Sequence, residues 1–112
     1  MGEMIELEND ARGYLAVPDS GSGPGVLVIQ EWWGLNPQMK GTADHLAENG
    51  FVALAPDLYR GELAGHDEMD KAVHLMSTLP AERAAADMSL AVDALRDHAS
   101  TTGRTIGAIG FC

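Results

Sequence analysis

The chain has 112 residues, of which 46% are apolar and 21% charged, enough for one globular core and no more than one domain. Its 7 basic and 17 acidic side chains leave a net charge of -10, a field that repels nucleic acid and anionic membranes. The single cysteine excludes a scaffold of internal disulfides, and no apolar run approaches the length of a bilayer span. The first residues carry neither a basic region nor a long apolar stretch, so no signal peptide is read there and the cytoplasm is the expected location.

Residues 4–8 and 12–17 alternate apolar and polar side chains on either side of Asn9-Asp10-Ala11, which predicts an antiparallel hairpin. Residues 18–25 hold prolines, glycines and serines and predict a surface loop, with the glycines as a flexible connection. Val26-Leu27-Val28-Ile29 is a continuous apolar run, as in a strand buried on both faces. A helix follows, with Asn36 as N-cap, Pro37 at its first position and Met39, Ala43, Leu46 and Ala47 on its inner face. Gly50 stops it, and residues 51–55 form a second buried strand closed by Pro56. This strand–helix–strand unit predicts a parallel pair with a right-handed crossover.

Residues 57–66 read as a loop. Met69, Ala72, Val73, Met76 and Leu79 then recur on one helical stripe. Pro80 restarts a third helix at its first position, with Ala84, Met88, Ala91 or Val92, Leu95 and Ala99 facing the core. On that helix Asp87, Asp93, Arg96 and Asp97 are expected to face water, and the methionines at 39, 69, 76 and 88 to pack. Residues 100–103 form a turn and residues 105–110 a third parallel strand. The order, a hairpin followed by β-α-β-α-α-β, predicts an α/β protein whose parallel sheet is flanked by helices. The sequence stops at Gly110-Phe111-Cys112, just as a core strand is completed, so residues 1–112 are read as a single incomplete domain.

Ligands of open α/β sheets bind beyond the carboxyl ends of the strands. Three segments are expected there: Gln30-Glu31-Trp32-Trp33-Gly34, Pro56-Asp57-Leu58-Tyr59-Arg60-Gly61, and Gly110-Phe111-Cys112. The last is the first half of a nucleophile elbow, in which a glycine two residues before the nucleophile permits a tight turn. A cysteine there is activated by the helix N-terminus beneath it and by a neighbouring base. His45, His66, His74 and His98 have no ligand-like spacing with each other or with Cys112, so no metal site and no cofactor is expected. The side chains of Trp32 and Trp33 are read as packing, and Asp57, Tyr59 and Arg60 as a structural turn rather than a substrate clamp.

From Tyr14 onward the chain resembles the dienelactone hydrolases, or carboxymethylenebutenolidases, of the α/β-hydrolase superfamily. The matching segments are Gly25-Val26-Leu27-Val28-Ile29-Gln30-Glu31-Trp32-Trp33-Gly34-Leu35-Asn36, Ala55-Pro56-Asp57-Leu58-Tyr59-Arg60-Gly61 and Ile106-Gly107-Ala108-Ile109-Gly110-Phe111-Cys112. The resemblance implies that the chain is the N-terminal half of an α/β-hydrolase fold, truncated at the nucleophile elbow. It implies Cys112 as nucleophile, Glu31 as a carboxylate that helps set the thiol's protonation, and the Trp32 backbone N–H as one side of the oxyanion hole. The family's aspartate and histidine come later in its sequence, and its carboxylate-binding arginines do not align, Arg60 included. The implied activity is hydrolysis of an ester or lactone bond in a small carboxylated substrate through a cysteine thioester. The 112 residues alone would be inactive, and the full-length protein a monomer or homodimer with no nucleic-acid or membrane partner. The competing reading is a non-catalytic α/β fragment or binding module with an incomplete site.

Overall fold

The computed structural model describes residues 2–110. Two short strands, β1 (Glu3–Glu6) and β2 (Arg12–Ala16), form the expected antiparallel hairpin, with Glu3 opposite Leu15 and Glu6 opposite Arg12. They are followed by β3 (Gly23–Ile29), α1 (Pro37–Glu48), β4 (Val52–Pro56), α2 (Met69–Thr78), α3 (Ala81–Asp97) and β5 (Thr101–Gly110). The five strands make one sheet in the order β1-β2-β4-β3-β5. β3 lies parallel to both β4 and β5, whereas β2 joins β4 antiparallel.

The central strands read as continuous apolar runs because both of their faces are covered. Tyr14, Ala16, Val28, Ala53 and Ala55 point to one side, where Met39, Ala43 and Ala47 of α1 pack on them. Their neighbours Leu15, Leu27, Val52 and Leu54 point to the other, against Ala91 and Leu95 of α3. The two-residue period of a strand thus divides one sequence between two cores. Alanines on both α1 and the strands beneath it let helix and sheet approach closely.

α1 starts as its sequence dictates. Asn36 is extended, its side-chain Oδ1 accepts from the Met39 N–H at 3.0 Å, and Pro37 supplies the first helical position, where an N–H would have no helical partner.

Several expectations need correction. The loop after β2 ends at Ser22, and Gly23 and Gly25 are buried strand residues rather than flexible connectors. A Cβ on Gly23 would land on the Gly50 carbonyl, so the backbones meet where a side chain has no room. Pro80 precedes α3 instead of opening it, and Ala99 is exposed beyond its end. Asp87 does not face water; it is 2% exposed and ion-paired. Residues 101–103 belong to β5, whose register against β3 shifts between Gly23 and Gly25. Met69 and Met76 are 57% and 53% exposed, and only Ala72 of α2 is buried, so among the described residues the α2 stripe packs on little.

Candidate functional site

Two of the three expected segments meet at the carboxyl ends of β3 and β4. Residues 31–34 form a tight turn closed by the Gly34 N–H donating to the Glu31 carbonyl at 3.1 Å. Gly34 has φ +100, a conformation natural to glycine, and a Cβ there would stand 2.8 Å from the Glu62 carbonyl oxygen. Glu31, Trp32 and Trp33 are half-buried, while Gly34 and Leu35 are buried. Among the described residues the Glu31 carboxylate accepts no hydrogen bond, and the Trp32 N–H donates none.

The turn is stitched to the segment after β4. The Leu58 N–H donates to Gln30 Oε1 at 3.0 Å, the Tyr59 hydroxyl to the Trp32 carbonyl at 2.9 Å, and the Ala64 N–H to the Trp33 carbonyl at 3.0 Å. The indoles of Trp32 and Trp33 sit edge to face with centroids 5.2 Å apart, and Trp33 also lies against His66 at 4.8 Å. Such contacts suit the packing role expected of both rings.

The second segment is itself fixed by charge. Asp57 is buried and its Oδ2 accepts from the Gly61 N–H at 2.8 Å, with Arg12 Nε 3.6 Å away. Burial pushes the Asp57 carboxyl above the usual carboxylate range, against the opposing pull of the Gly61 N–H and Arg12. Arg60 takes a left-handed backbone, φ 51, and its guanidinium forks onto Asp87 of α3. Arg83 of α3 donates to the Leu58 carbonyl at 3.1 Å. Burial also raises the Tyr59 phenol above its ordinary value, which keeps the hydroxyl a donor. These contacts agree with the reading of Asp57, Tyr59 and Arg60 as a structural turn.

The third segment approaches through β5. Gly110 stands opposite Ile29 in the parallel ladder, one residue before Gln30, so the strand leading in sequence to Cys112 runs beside the strand leading to Glu31. Phe111 and Cys112 lie outside the described residues. Sequence reasoning quoted Gln30 and Tyr59 without giving them the stitching role they play, since each partner lies 27 or 28 residues away. It also missed the Asp87 anchor. A cavity of about 470 Å³ is lined by Glu6, Glu8, Asp93 and Asp97 with apolar neighbours, and none of these belongs to the three segments.

The mixed sheet with α1 on one face and α3 on the other, and with its loops gathered at the carboxyl ends of β3 and β4, is the architecture of an α/β hydrolase. The family model described as dienelactone hydrolase family matches residues 11–112, and the chain belongs to that family. It is 40% identical to Protein usf of Aquifex pyrophilus over its whole length, covering 51% of that protein. Over 59 residues, 47% of the chain and 25% of the relative, it is 46% identical to a carboxymethylenebutenolidase of Pseudomonas sp. strain P51. The solved structure named m3DLH superposes with a TM-score of 0.80 at 32% identity, over all of this chain and 49% of that one. The chain spans about half the length of Protein usf and of m3DLH.

Proposed function

We propose that the chain contributes the N-terminal half of the active site of a hydrolase that opens an ester or lactone bond in a small carboxylated substrate. The pairing of Ile29 with Gly110 carries this reading, because it runs the strands that lead to Glu31 and to Cys112 side by side. Membership of the dienelactone hydrolase family supports the reaction class.

In this reading the Cys112 thiolate attacks the substrate carbonyl carbon and forms a C–S bond, while the carbonyl electron pair moves onto oxygen. Backbone N–H groups, Trp32 among them, hold that oxyanion. Collapse of the tetrahedral species breaks the C–O bond, and the departing oxygen takes the proton that a histidine holds while the cysteine is a thiolate. The resulting thioester is hydrolysed by a water that the histidine deprotonates, which releases the carboxylate and restores the thiol. In the same reading Glu31 is the carboxylate that biases the thiol's protonation.

The histidine and its aspartate are assigned to the half of the relatives' length that the chain does not span. Residues 1–112 are then one incomplete domain, without turnover of their own. The test is an ester- and lactone-hydrolysis assay on the chain alone and on the protein in which it is followed by a second half like that of its relatives. Activity only in the latter, abolished by Cys112→Ala, supports the reading. Turnover that survives Cys112→Ala rejects it.

A further inference from the structure

We infer that Tyr59 is a positioning residue for the Trp32 turn, limiting rotation about the backbone of the residue whose N–H faces the reacting carbonyl; this rests on the function proposed above. The Tyr59 hydroxyl donates to the Trp32 carbonyl at 2.9 Å across 27 positions of sequence. Tyr59 is 6% exposed, so the oxygen reaches the turn from a buried base. The peptide between Trp32 and Trp33 is planar, and its N–H points opposite to its carbonyl. Fixing the carbonyl therefore fixes the direction of the Trp33 N–H and limits rotation about the Trp32 backbone.

The other ties leave this peptide free. The Gly34 N–H bonds the Glu31 carbonyl, the Ala64 N–H bonds the Trp33 carbonyl, and Gln30 holds Leu58. Among the described residues, only the phenol bonds the central peptide of the turn. Arg60 pairs with Asp87 of α3 and Arg83 of α3 bonds the Leu58 carbonyl, so both chain neighbours of Tyr59 are tied to α3 and the grip is transmitted from the body of the fold. A donor that must meet an oxyanion loses much of its effect when it wanders by a fraction of an ångström.

Tyr59→Phe removes one oxygen and keeps the buried ring. Both tryptophans of the chain lie in this turn, so its near-ultraviolet circular dichroism and its acrylamide quenching report on the turn directly. The hydrolase carrying Tyr59→Phe is expected to keep the parent's cooperative melt, with a weaker tryptophan band and faster quenching than the parent. In the hydrolase that carries this chain, kcat falls by about tenfold while KM holds, because the loss is one of transition-state stabilisation. An unchanged tryptophan signal overturns the inference, and so does a changed signal with unchanged kcat. Loss of the cooperative melt also overturns it, since the hydroxyl would then support the fold as a whole. Cys112→Ala, assayed alongside, separates the two ideas: activity retained there defeats the hydrolase reading and leaves the spectroscopic result standing.

Discussion

Arg60 and Asp87 form a two-bond fork, with Nη2 to Oδ1 at 3.0 Å and Nε to Oδ2 at 3.3 Å, that joins the loop after β4 to the middle of α3. Asp87 is almost fully buried and Arg60 is partly open to water, so the two substitutions are not equivalent. Removing Arg60 leaves a buried carboxylate without its partner, whereas removing Asp87 leaves a guanidinium that can turn to solvent. Arg60→Ala is therefore expected to lower the melting temperature more than Asp87→Asn, which keeps a hydrogen-bonding oxygen. Thermal denaturation of the two variants beside the parent checks the order.

Leu54 is fully buried in the layer between the sheet and α3, beside Leu15, Leu27, Val52 and Leu95. Leu54→Ala removes its packing and leaves a cavity that flanking strands cannot easily close. The expected loss is about 3 kcal/mol. Urea denaturation of the parent and the variant measures it.

Asp57 gives a pH dependence with a definite sign. Its carboxyl is raised in the folded state, chiefly by burial, so the folded chain binds this proton more tightly than the unfolded chain does. The stabilisation this provides is complete below the ordinary value of 3.8 and is lost as pH rises through the higher folded value. Asp57→Asn keeps an oxygen for the Gly61 N–H and carries no charge at any pH. Its stability relative to the parent is expected to improve as pH rises from about 4 toward neutrality. Denaturation midpoints across that range decide it; a difference that does not change with pH contradicts the assignment.

Much of the fold was legible because its determinants are local. Asn36 and Pro37 mark the start of α1 whatever surrounds them, and the apolar runs of β3 and β4 announce strands covered on both faces. What stayed hidden depends on partners distant in sequence. Asp87 looks like a solvated helix residue until Arg60, 27 positions away, is brought against it. Gly23 reads as a loop residue until Gly50 crosses it. The periodicity of Met69, Val73 and Met76 identified a helix, but periodicity does not say what covers a stripe, and Met69 and Met76 are largely exposed among the described residues. At the site, the motif segments were visible as sequence, whereas the bonds from Gln30 and Tyr59 that hold them together are long-range and were not.

Glu31 occupies a half-buried turn and, among the described residues, supports no hydrogen bond with its carboxylate. Glu31→Gln removes charge and little packing, so folding stability should change by less than about 1 kcal/mol. The proposed part in setting the thiol's protonation predicts a loss of roughly 2–4 kcal/mol in transition-state stabilisation. Measuring kcat/KM together with the denaturation midpoint separates the two effects; unchanged turnover removes Glu31 from the chemistry.

Cys112 is proposed to form the covalent intermediate of the hydrolase to which this chain contributes. The most direct measurement is to quench the protein during turnover of an activated ester and locate the acyl group by mass spectrometry of its peptides. A single thioester on Cys112 is expected, absent in Cys112→Ala, which is also inactive. An acyl group on any other residue, or none during steady hydrolysis, contradicts it.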